Sequence, residues 1–497
     1  MKALQKLAGQ TAIYGLPSII GRLFNYVLVP LHTSTFLPEK FGVITEMYSY
    51  VAFLVVLLTY GMETAYFRFQ TKTDHIEKSN LVYSTVIISL ITSTGIFIAA
   101  TSFFSQEVAN FINYPDNSEF VLWFSFIVGF DAISSIALAK LRIENSPIKF
   151  ATINIATIAI FVGLNFFWLY YCLPEYELGN RNFLITTFYS PDMGIGYVFL
   201  SNLIASAFKL LLLSPSFFKI QLKLNFTLLK DMFKYSAPIL IASLAIIINE
   251  NLDKILLKWM LLDELGTDGA TEQVGIYGAC YKLSIIISLF IQAFRYAAEP
   301  FFFSQEKEKD SKEVYALILK YFVIVLSIIF LGVMLFIDVI KYFIPREEYW
   351  VGLNVVPILL MANIFLGIFY NLSVWYKLNG KTKYGAYIAS TGALITIVLN
   401  LVLIPEFGFI GSAWATLVCY FSMAVISYLY GQKYFKVNYS IKSIFFYLGL
   451  SFVFYWASTL LNLQEESILK FGINSLILIV FLSVIFVLEK PKKALIS

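Results

Sequence analysis

Long apolar runs follow one another along the whole chain, separated by short charged or turn-rich breaks. A helix needs about 20 apolar residues to cross the hydrocarbon core of a membrane, and most of these runs reach that length. The runs do not alternate apolar and polar residues as the strands of a membrane barrel do. The pattern therefore predicts fourteen membrane-spanning helices, near 10–31, 41–62, 80–104, 118–138, 150–173, 191–213, 235–257, 273–294, 314–337, 352–376, 384–404, 408–430, 443–461 and 468–488.

The composition supports this membrane class. Of the 497 residues, 59% are hydrophobic and 14% are charged, whereas an ordinary soluble domain carries about 25% charged residues. So few charges cannot cover a soluble protein of this size, which excludes a soluble enzyme, a secreted disulfide scaffold and a disordered protein. The three cysteines lie far apart and form no CxxC motif, so we expect no metal site. The net charge of +4 gives no reason to expect a nucleic-acid partner.

Lysines and arginines are distributed unevenly among the breaks. The termini and every second break hold 27 of the 36, and the alternate breaks hold six. Lys258 is placed among those six, in the break after the seventh run. Cytoplasmic loops of membrane proteins carry the excess of positive charge. The distribution therefore predicts fourteen spans with both termini in the cytoplasm.

Two parts of the chain carry matching residues in the same order. The matching pairs are Tyr14 to Pro17 with Tyr235 to Pro238, Gly42 with Gly275, and Glu63 with Glu299. The copies lie six spans apart, so both cross the membrane in the same direction. The repeat predicts two parallel six-helix lobes followed by two extra helices. The predicted boundaries are an N-lobe at 1–213, a cytoplasmic linker at 214–234, a C-lobe at 235–430, and the extra helices with a basic tail at 431–497.

Three basic residues interrupt the apolar runs themselves: Arg22, Lys254 and Lys282. A charge at the bilayer centre costs about 3 kcal/mol, so it usually faces a cavity or a partner. Arg22 lies on a polar face of span 1 together with Asn25, which favours an anion contact in a central cavity. The alternative is a buried ion pair with an acid such as Asp131.

Spans 7 and 8 carry further charged residues. Glu250, Asp253 and Lys254 lie near the outer end of span 7, where they form either the mouth of a cavity or an ordinary interfacial helix end. Lys282 of span 8 lies at a height similar to that of Glu46 in span 2. These positions are candidates for contacts with a substrate or a coupling ion.

Charges also cluster at the opposite ends of spans 2 and 8. Arg295 and Glu299 are four residues apart at the cytoplasmic end of span 8, a spacing at which helical side chains meet. Glu63 and Arg68 occupy the matching end of span 2. The four residues form either a cytoplasmic gate or two ordinary solvated helix ends.

Several of these residues carry a resemblance to a known family. They are Gly15-Leu16-Pro17-Ser18, Arg22, Pro30-Leu31, Phe41-Gly42, Asp253-Lys254, Val274-Gly275-Ile276-Tyr277, Tyr281-Lys282-Leu283 and Glu299-Pro300. With fourteen spans and two six-helix lobes, the chain resembles the polysaccharide transporter family of the multidrug/oligosaccharidyl-lipid/polysaccharide exporter superfamily. The resemblance covers essentially the whole chain.

The resemblance implies a flippase rather than an enzyme. Its substrates would be undecaprenyl-pyrophosphate-linked oligosaccharides, the precursors of lipopolysaccharide O-antigen, capsule or exopolysaccharide, in the bacterial inner membrane. The lobes would rock for alternating access, with no cofactor, and with a proton or sodium gradient, the membrane potential or downstream pull as the driving force. A glycan polymerase and glycosyltransferases are the protein partners that such a role implies.

The resemblance also implies a cationic cavity lined by spans 1, 2, 7 and 8. The candidates for binding the pyrophosphate are Arg22, Asn25, Lys254 and Lys282. The candidates for a coupling-ion site or a gate are Glu46, Glu63, Asp131, Glu250, Asp253, Arg295 and Glu299.

Three other functions stay open at this point. A multidrug and toxin exporter of the same fold needs an acidic cavity for organic cations, whereas span 1 carries Arg22 and no acid. A flippase for the peptidoglycan lipid precursor also favours arginines in its cavity. A non-transporting scaffold of a glycan assembly complex would have no need for charges that face inward. No GxSxG or HExxH motif indicates a hydrolase.

Overall fold

The computed structural model describes residues 21, 23–24, 26–71, 76–218, 220–221, 223–305, 308, 310–461 and 467–490, apart from a few side chains that include Glu299. The regular elements in these residues are helices. The first ten are α1 (26–35), α2 (Pro38–Thr59), α3 (Met62–Thr71), α4 (Ile76–Phe103), α5 (Ser105–Phe111), α6 (Ser118–Ile143), α7 (Pro147–Asn165), α8 (Leu173–Glu177), α9 (Phe183–Phe188) and α10 (Gly196–Leu213). The others are α11 (Phe226–Gln305), α12 (Ser311–Leu335), α13 (Ile337–Ile340), α14 (Val356–Leu372), α15 (Val374–Leu378), α16 (Lys383–Tyr434), α17 (Ile441–Leu460) and α18 (Ile468–Glu489). A π-helical stretch at Phe166–Cys172 joins α7 to α8.

Eleven helical segments in the described part of the chain are long and apolar enough to cross a membrane. The protein is therefore an all-α polytopic membrane protein, as the hydropathy pattern predicts. The first predicted span, 10–31, lies mostly outside the described residues. Two of the eleven segments are 78 and 52 residues long. A straight helix of 78 residues would run about 117 Å, far more than the membrane is thick.

A glycine interrupts each of the two long helices. Gly266 in α11 has φ 70° and ψ 179°, and Gly408 in α16 has φ 53° and ψ −134°. Positive φ costs glycine little because it has no Cβ, so the chain can change direction at these two positions. The predicted spans 235–257 and 273–294 lie on either side of Gly266, and 384–404 and 408–430 divide near Gly408.

The placement of Lys258 in a loop is wrong. α11 continues through this residue as far as Gly266, and the Lys258 side chain is only 1% exposed. The hydropathy pattern ended the span here because an isolated lysine is typical of a helix end. The lysine is tolerated inside the fold because an acidic side chain neutralises it.

The chain folds into two compact units, each built from two separate stretches of sequence. The first unit comprises Met1–Gly278 and Lys383–Ser412. In it α6 packs against α2, α4 and α10. One of its buried apolar clusters includes Met62, Tyr66 and Ile136. Lipid tails are as apolar as such side chains, so close packing and polar contacts hold membrane helices together.

The second unit comprises Ala279–Thr382 and Ala413–Ser497. Here α12 packs against α14, α17 and α18. Two ion pairs join α18 to the neighbouring elements: Glu489 with Lys320 of α12 at 2.6 Å, and Lys470 with Asp338 of α13 at 2.6 Å. The last helix is therefore attached to this unit near both of its ends. The predicted lobe boundaries at 213 and 430 remain a prediction.

Candidate functional site

Two glycines allow α2 and α11 to touch through their backbones, and a third brings α11 against a side chain of α2. A Cβ added to Gly275 would lie 1.8 Å from the carbonyl oxygen of Pro38, and one added to Gly42 would lie 1.9 Å from that of Thr271. A Cβ on Gly278 would lie 2.7 Å from Oγ1 of Thr45. No larger residue fits at these distances. We call this contact, made by Gly42, Gly275 and Gly278, the glycine seal.

A buried ion pair lies one turn along α2 from Gly42. Lys258 of α11 donates to Glu46 Oε2 at 2.9 Å, and the two side chains are 1% and 0% exposed. The Lys258 ammonium also donates to the carbonyl of Ile112 at 2.7 Å and lies 3.7 Å from the centre of the Tyr114 ring. A buried charge is stable only when its partners replace the lost water. Lys258 obtains these partners from α2 and from the loop at 112–117.

Three aromatic side chains complete the surroundings of Glu46. Tyr50 donates to Glu46 Oε1 at 2.9 Å, and Trp259 donates to the Tyr50 hydroxyl at 2.8 Å. Tyr114 donates to Glu46 Oε2. Burial, together with the Glu46 carboxylate, raises the pKa of Tyr114 well above its ordinary value, so its hydroxyl keeps the proton that it donates. We call Glu46, Tyr50, Tyr114, Lys258 and Trp259 the Glu46 network.

A polar cavity of about 480 Å³ lies beside the glycine seal and the Glu46 network. Tyr114 and Thr271 contribute to its wall, so it shares residues with both features. Its charged lining residues are Glu39, Lys40, Asp116, Asp192 and Asp268. Among the described residues, no group of three or more His, Cys, Asp or Glu is arranged to hold a metal ion.

Asp253 and Lys254 form a second buried cluster in α11. The Lys254 ammonium donates to Asp253 Oδ1 at 2.9 Å and to the carbonyl of Glu250 at 2.8 Å. Tyr277 donates to Asp253 Oδ2 at 2.7 Å. The two charges are buried and lie close enough to neutralise each other. The Lys254 ammonium therefore has a protein partner in this conformation.

The other candidates of the first unit have separate partners. Lys209 donates to Asp131 Oδ1 at 2.6 Å, and Ser206 donates to the same oxygen at 2.9 Å. Asp131, which the sequence suggested as a partner for Arg22, thus already has a cation. Arg22 and Asn25 lie outside the described residues.

Two candidates for a cytoplasmic gate, Glu63 and Arg68, have partners on other helices. Glu63 forms an ion pair with Arg142 of α6, and Arg68 lies 4.2 Å from the centre of the Tyr235 ring. In the second unit, Arg295 lies 3.9 Å from the centre of the Tyr370 ring.

The remaining candidate residues are Glu250, Lys282 and Glu299. The side chain of Glu299 lies outside the described part, so its pairing with Arg295 stays a prediction. Glu250 and Lys282 are half-buried positions of α11. The structure thus groups Glu46 with Lys258, and Asp253 with Lys254 and Glu250.

Sequence reasoning missed Lys258, Tyr50 and Tyr114. One signal could have found Lys258. It follows Glu250 and Lys254 at intervals of four residues, which places the three on one helix face. The partners of Lys258 are 146 and 212 residues away in the chain. No local pattern identifies contacts of that separation.

A family model described as "Polysaccharide biosynthesis protein" matches residues 7–306 of the chain. Among curated proteins, none matches the sequence.

Several solved structures share the fold. One is described as "Lipid II flippase MurJ, inward closed conformation", with a TM-score of 0.74 and 15% identity, covering 95% of this chain and 98% of that chain. An inward-facing MATE family multidrug resistance transporter of the MOP superfamily has a TM-score of 0.65 and 13% identity, covering 85% of this chain and 97% of that chain. An outward-facing MATE transporter has a TM-score of 0.58 and 12% identity, covering 87% and 98%. Identities this low indicate a shared fold alone.

Proposed function

The chain belongs to the polysaccharide biosynthesis protein family and is a membrane transporter rather than an enzyme; from this premise we propose that it moves polyprenyl-diphosphate-linked oligosaccharides across the bacterial inner membrane by alternating access. The proposal includes fourteen crossings, two parallel lobes and cytoplasmic termini. The glycans are those of O-antigen, capsule or exopolysaccharide synthesis. A glycan polymerase and glycosyltransferases would work beside it.

The glycine seal is the observation that carries this proposal. Gly42 and Gly275 are equivalent positions of the internal repeat, and a Cβ on Gly275 would lie 2.9 Å from the backbone nitrogen of Gly42. When a two-fold axis relates two copies of a repeat, a residue can contact the equivalent residue of the other copy only where both lie at the axis. The contact supports a repeat axis at the seal. Transporters with such repeats hold their substrate at the repeat interface and open its two ends in turn.

A cationic cavity suits the diphosphate of such a substrate. A diphosphate that leaves water needs charge-assisted hydrogen bonds from arginine or lysine. We assign the diphosphate to the candidates Arg22, Asn25, Lys254 and Lys282, of which Lys254 pairs with Asp253 in this conformation. The acidic candidates Glu46, Asp131, Glu250 and Asp253 would then serve in coupling or gating.

An apolar groove in the second unit suits the polyprenyl tail. Residues from α12, α14, α16 and α17 line it, among them Leu319, Phe365, Ala424 and Ile444. No charged residue is among its lining residues. A polyprenyl chain is a hydrocarbon, so it can occupy such a groove without desolvating a polar group.

Arg22→Ala tests the proposed substrate contact. We expect the variant to lose surface glycan while the protein remains in the membrane at its normal level, because the diphosphate loses a cationic partner. Electrophoresis of extracted surface glycan and immunoblotting of membranes measure the two quantities. Lys223→Ala, which removes an exposed lysine, is the matched control. Unchanged glycan in Arg22→Ala would contradict the assignment, and growth arrest of the cells would favour the peptidoglycan precursor as substrate.

Ala424→Phe tests the groove. Ala424 is 5% exposed, so a phenylalanine there fills space that the tail would use. We expect transport of the natural long-chain substrate to fall on the order of tenfold, the equivalent of about 1.4 kcal/mol, and transport of a short-chain prenyl analogue to fall much less. Val418→Phe places the same ring at an exposed position of the same helix. Equal loss for long and short chains would argue against a tail in the groove.

A further inference from the structure

An open groove of about 760 Å³ lies between the beginning of α11, the end of α2 and the middle of α4. All of its lining residues belong to the first compact unit. They are Leu57, Tyr60, Ser89, Ser93, Phe226, Leu229, Lys230, Phe233 and Leu240. The predicted cytoplasmic linker at 214–234 leads into this part of α11, so the proposed topology places the groove at the cytoplasmic surface of the membrane. We call it the Lys230 groove.

Most of the lining of the Lys230 groove is apolar and faces outward. Leu57 and Phe233 are each 49% exposed, and Phe226 is 74% exposed. Exposed apolar side chains of a membrane protein lie against lipid tails, which are as apolar as leucine. The groove therefore opens toward lipid and can hold a hydrocarbon chain without desolvating a charged group.

One cation lies at the edge of this apolar surface. Among the described residues that line the groove, Lys230 alone is charged. Its side chain is exposed, and within the part of the chain that the structure describes it has no hydrogen-bond or ion-pair partner. A single ammonium suits a phosphodiester, which carries one negative charge, whereas a diphosphate needs several charge-assisted hydrogen bonds. The charge of the groove thus matches a phospholipid better than a polyprenyl diphosphate.

Two hydroxyl groups add polar contacts inside the groove. The Tyr60 hydroxyl and Ser89 Oγ form a hydrogen bond of 2.6 Å in which either can be the donor. The hydroxyl that accepts this bond keeps its own hydrogen for a further acceptor. The phosphate and ester oxygens of a phospholipid are such acceptors.

The wall of the groove includes the residue that ends α2. Tyr60 has φ 34° and ψ 39°, and the next residue, Gly61, has φ 70°. A residue other than glycine keeps such a left-handed conformation only where its surroundings hold it. The Tyr60 ring lies 6.2 Å from the Phe233 ring, centre to centre, and a Cβ on Gly61 would lie 3.0 Å from the carbonyl oxygen of Ser236. A molecule in the groove therefore touches the break between α2 and α3 where it packs on α11.

We propose that the Lys230 groove binds one anionic diacyl phospholipid of the surrounding bilayer, with its phosphate at Lys230 and an acyl chain along the apolar lining. The bound lipid stabilises the packing of the break between α2 and α3 against α11. The inference goes beyond the proposed function, because it concerns a lipid of the membrane itself and not the molecule that is transported. It holds whatever that molecule is.

Native mass spectrometry of the full-length protein in detergent, titrated with phosphatidylglycerol or with the zwitterionic phosphatidylcholine, tests the site. We expect the first phosphatidylglycerol to bind about fivefold more tightly than phosphatidylcholine, which is the contribution of one lysine at a membrane surface. Lys230→Gln removes the charge, so it should bind the two lipids equally. Lys223→Gln removes an exposed lysine of the same basic stretch that does not line the groove, and it should keep the preference.

Ser93→Phe separates the groove from the charge. The ring fills the groove and leaves Lys230 in place, so binding of both lipids should weaken at least about fivefold. Thermal unfolding gives a second measurement, because a ligand that binds the folded state raises the unfolding temperature. Phosphatidylglycerol should raise it in the parent protein and in Lys223→Gln, but not in Lys230→Gln.

Three results would overturn the proposal. Equal weakening of phosphatidylglycerol binding by Lys230→Gln and Lys223→Gln would indicate a diffuse attraction to basic residues. Unchanged binding in Ser93→Phe would exclude the groove. Displacement of phosphatidylglycerol by an equal concentration of undecaprenyl diphosphate would make the groove an entry site for a transported lipid. Lys230 is exposed and its replacement does not disturb the fold, so Lys230→Gln decides the point by itself if Ser93→Phe does not fold.

Discussion

Gly275→Ala is expected to abolish more than about nine-tenths of transport, a loss of at least about 1.4 kcal/mol. The added methyl group would lie 1.8 Å from the carbonyl oxygen of Pro38. Neither backbone atom can move out of the way as a flexible side chain could, so α2 and α11 must separate. The glycine seal then cannot close, and the closed state of the transport cycle is lost.

Reconstitution of the purified protein into vesicles measures this transport. Gly163→Ala is the matched control, because it also lies in a helix of the first unit and a Cβ there meets no atom within 4 Å. Alanine favours a helix over glycine by about 1 kcal/mol, so the control should fold at least as well as the parent. Gly42→Ala should repeat the loss from the other side of the contact. Normal transport by Gly275→Ala would show that the seal does not have to close.

Lys258→Met is expected to destabilise the protein by about 3–5 kcal/mol, because it leaves the Glu46 carboxylate buried without a cation. The second substitution, Glu46→Gln, should restore most of that stability by removing the unpaired charge. Thermal unfolding of the purified protein in detergent compares the single and double variants. The prediction concerns stability alone, so it holds whatever the substrate is.

Lys149→Met serves as the control for the loss of one lysine. Lys149 is exposed on α7, and its removal should change stability by no more than about 0.5 kcal/mol. Two outcomes contradict the expectation for Lys258: a single variant as stable as the parent, or a double variant less stable than the single one. Either would mean that Glu46 and Lys258 do not stabilise each other.

The residues near Lys258 indicate where prediction from the sequence stops. Hydropathy predicts the helices well, because each crossing must satisfy its own backbone and expose an apolar surface. The hydropathy pattern cannot distinguish a lysine at the end of a span from a lysine inside a continuing helix that forms a buried ion pair. The difference depends on Glu46, which is 212 residues earlier in the chain.

For the repeat, too, the sequence predicts one part and only the folded structure reveals the other. The order of matching residues identified Gly42 and Gly275 as equivalent positions, and that is a statement about the sequence alone. Their contact depends on how α2 and α11 pack, which no offset between the copies reveals. The gate candidates differ again: nothing in the local sequence indicates the partner of Glu63, and the folded chain pairs it with Arg142 of α6, 79 residues later.

The sequence by itself determined the membrane class, the approximate spans and the family, and it predicted a repeat and a set of charged candidates, because each follows from properties within one helix or from the order of residues along the chain. Only the tertiary structure decided which charges neutralise one another and where two backbones touch. Those outcomes depend on distances between segments far apart in the chain. The Glu46 network and the glycine seal exist only where α2, the loop at 112–117 and α11 meet.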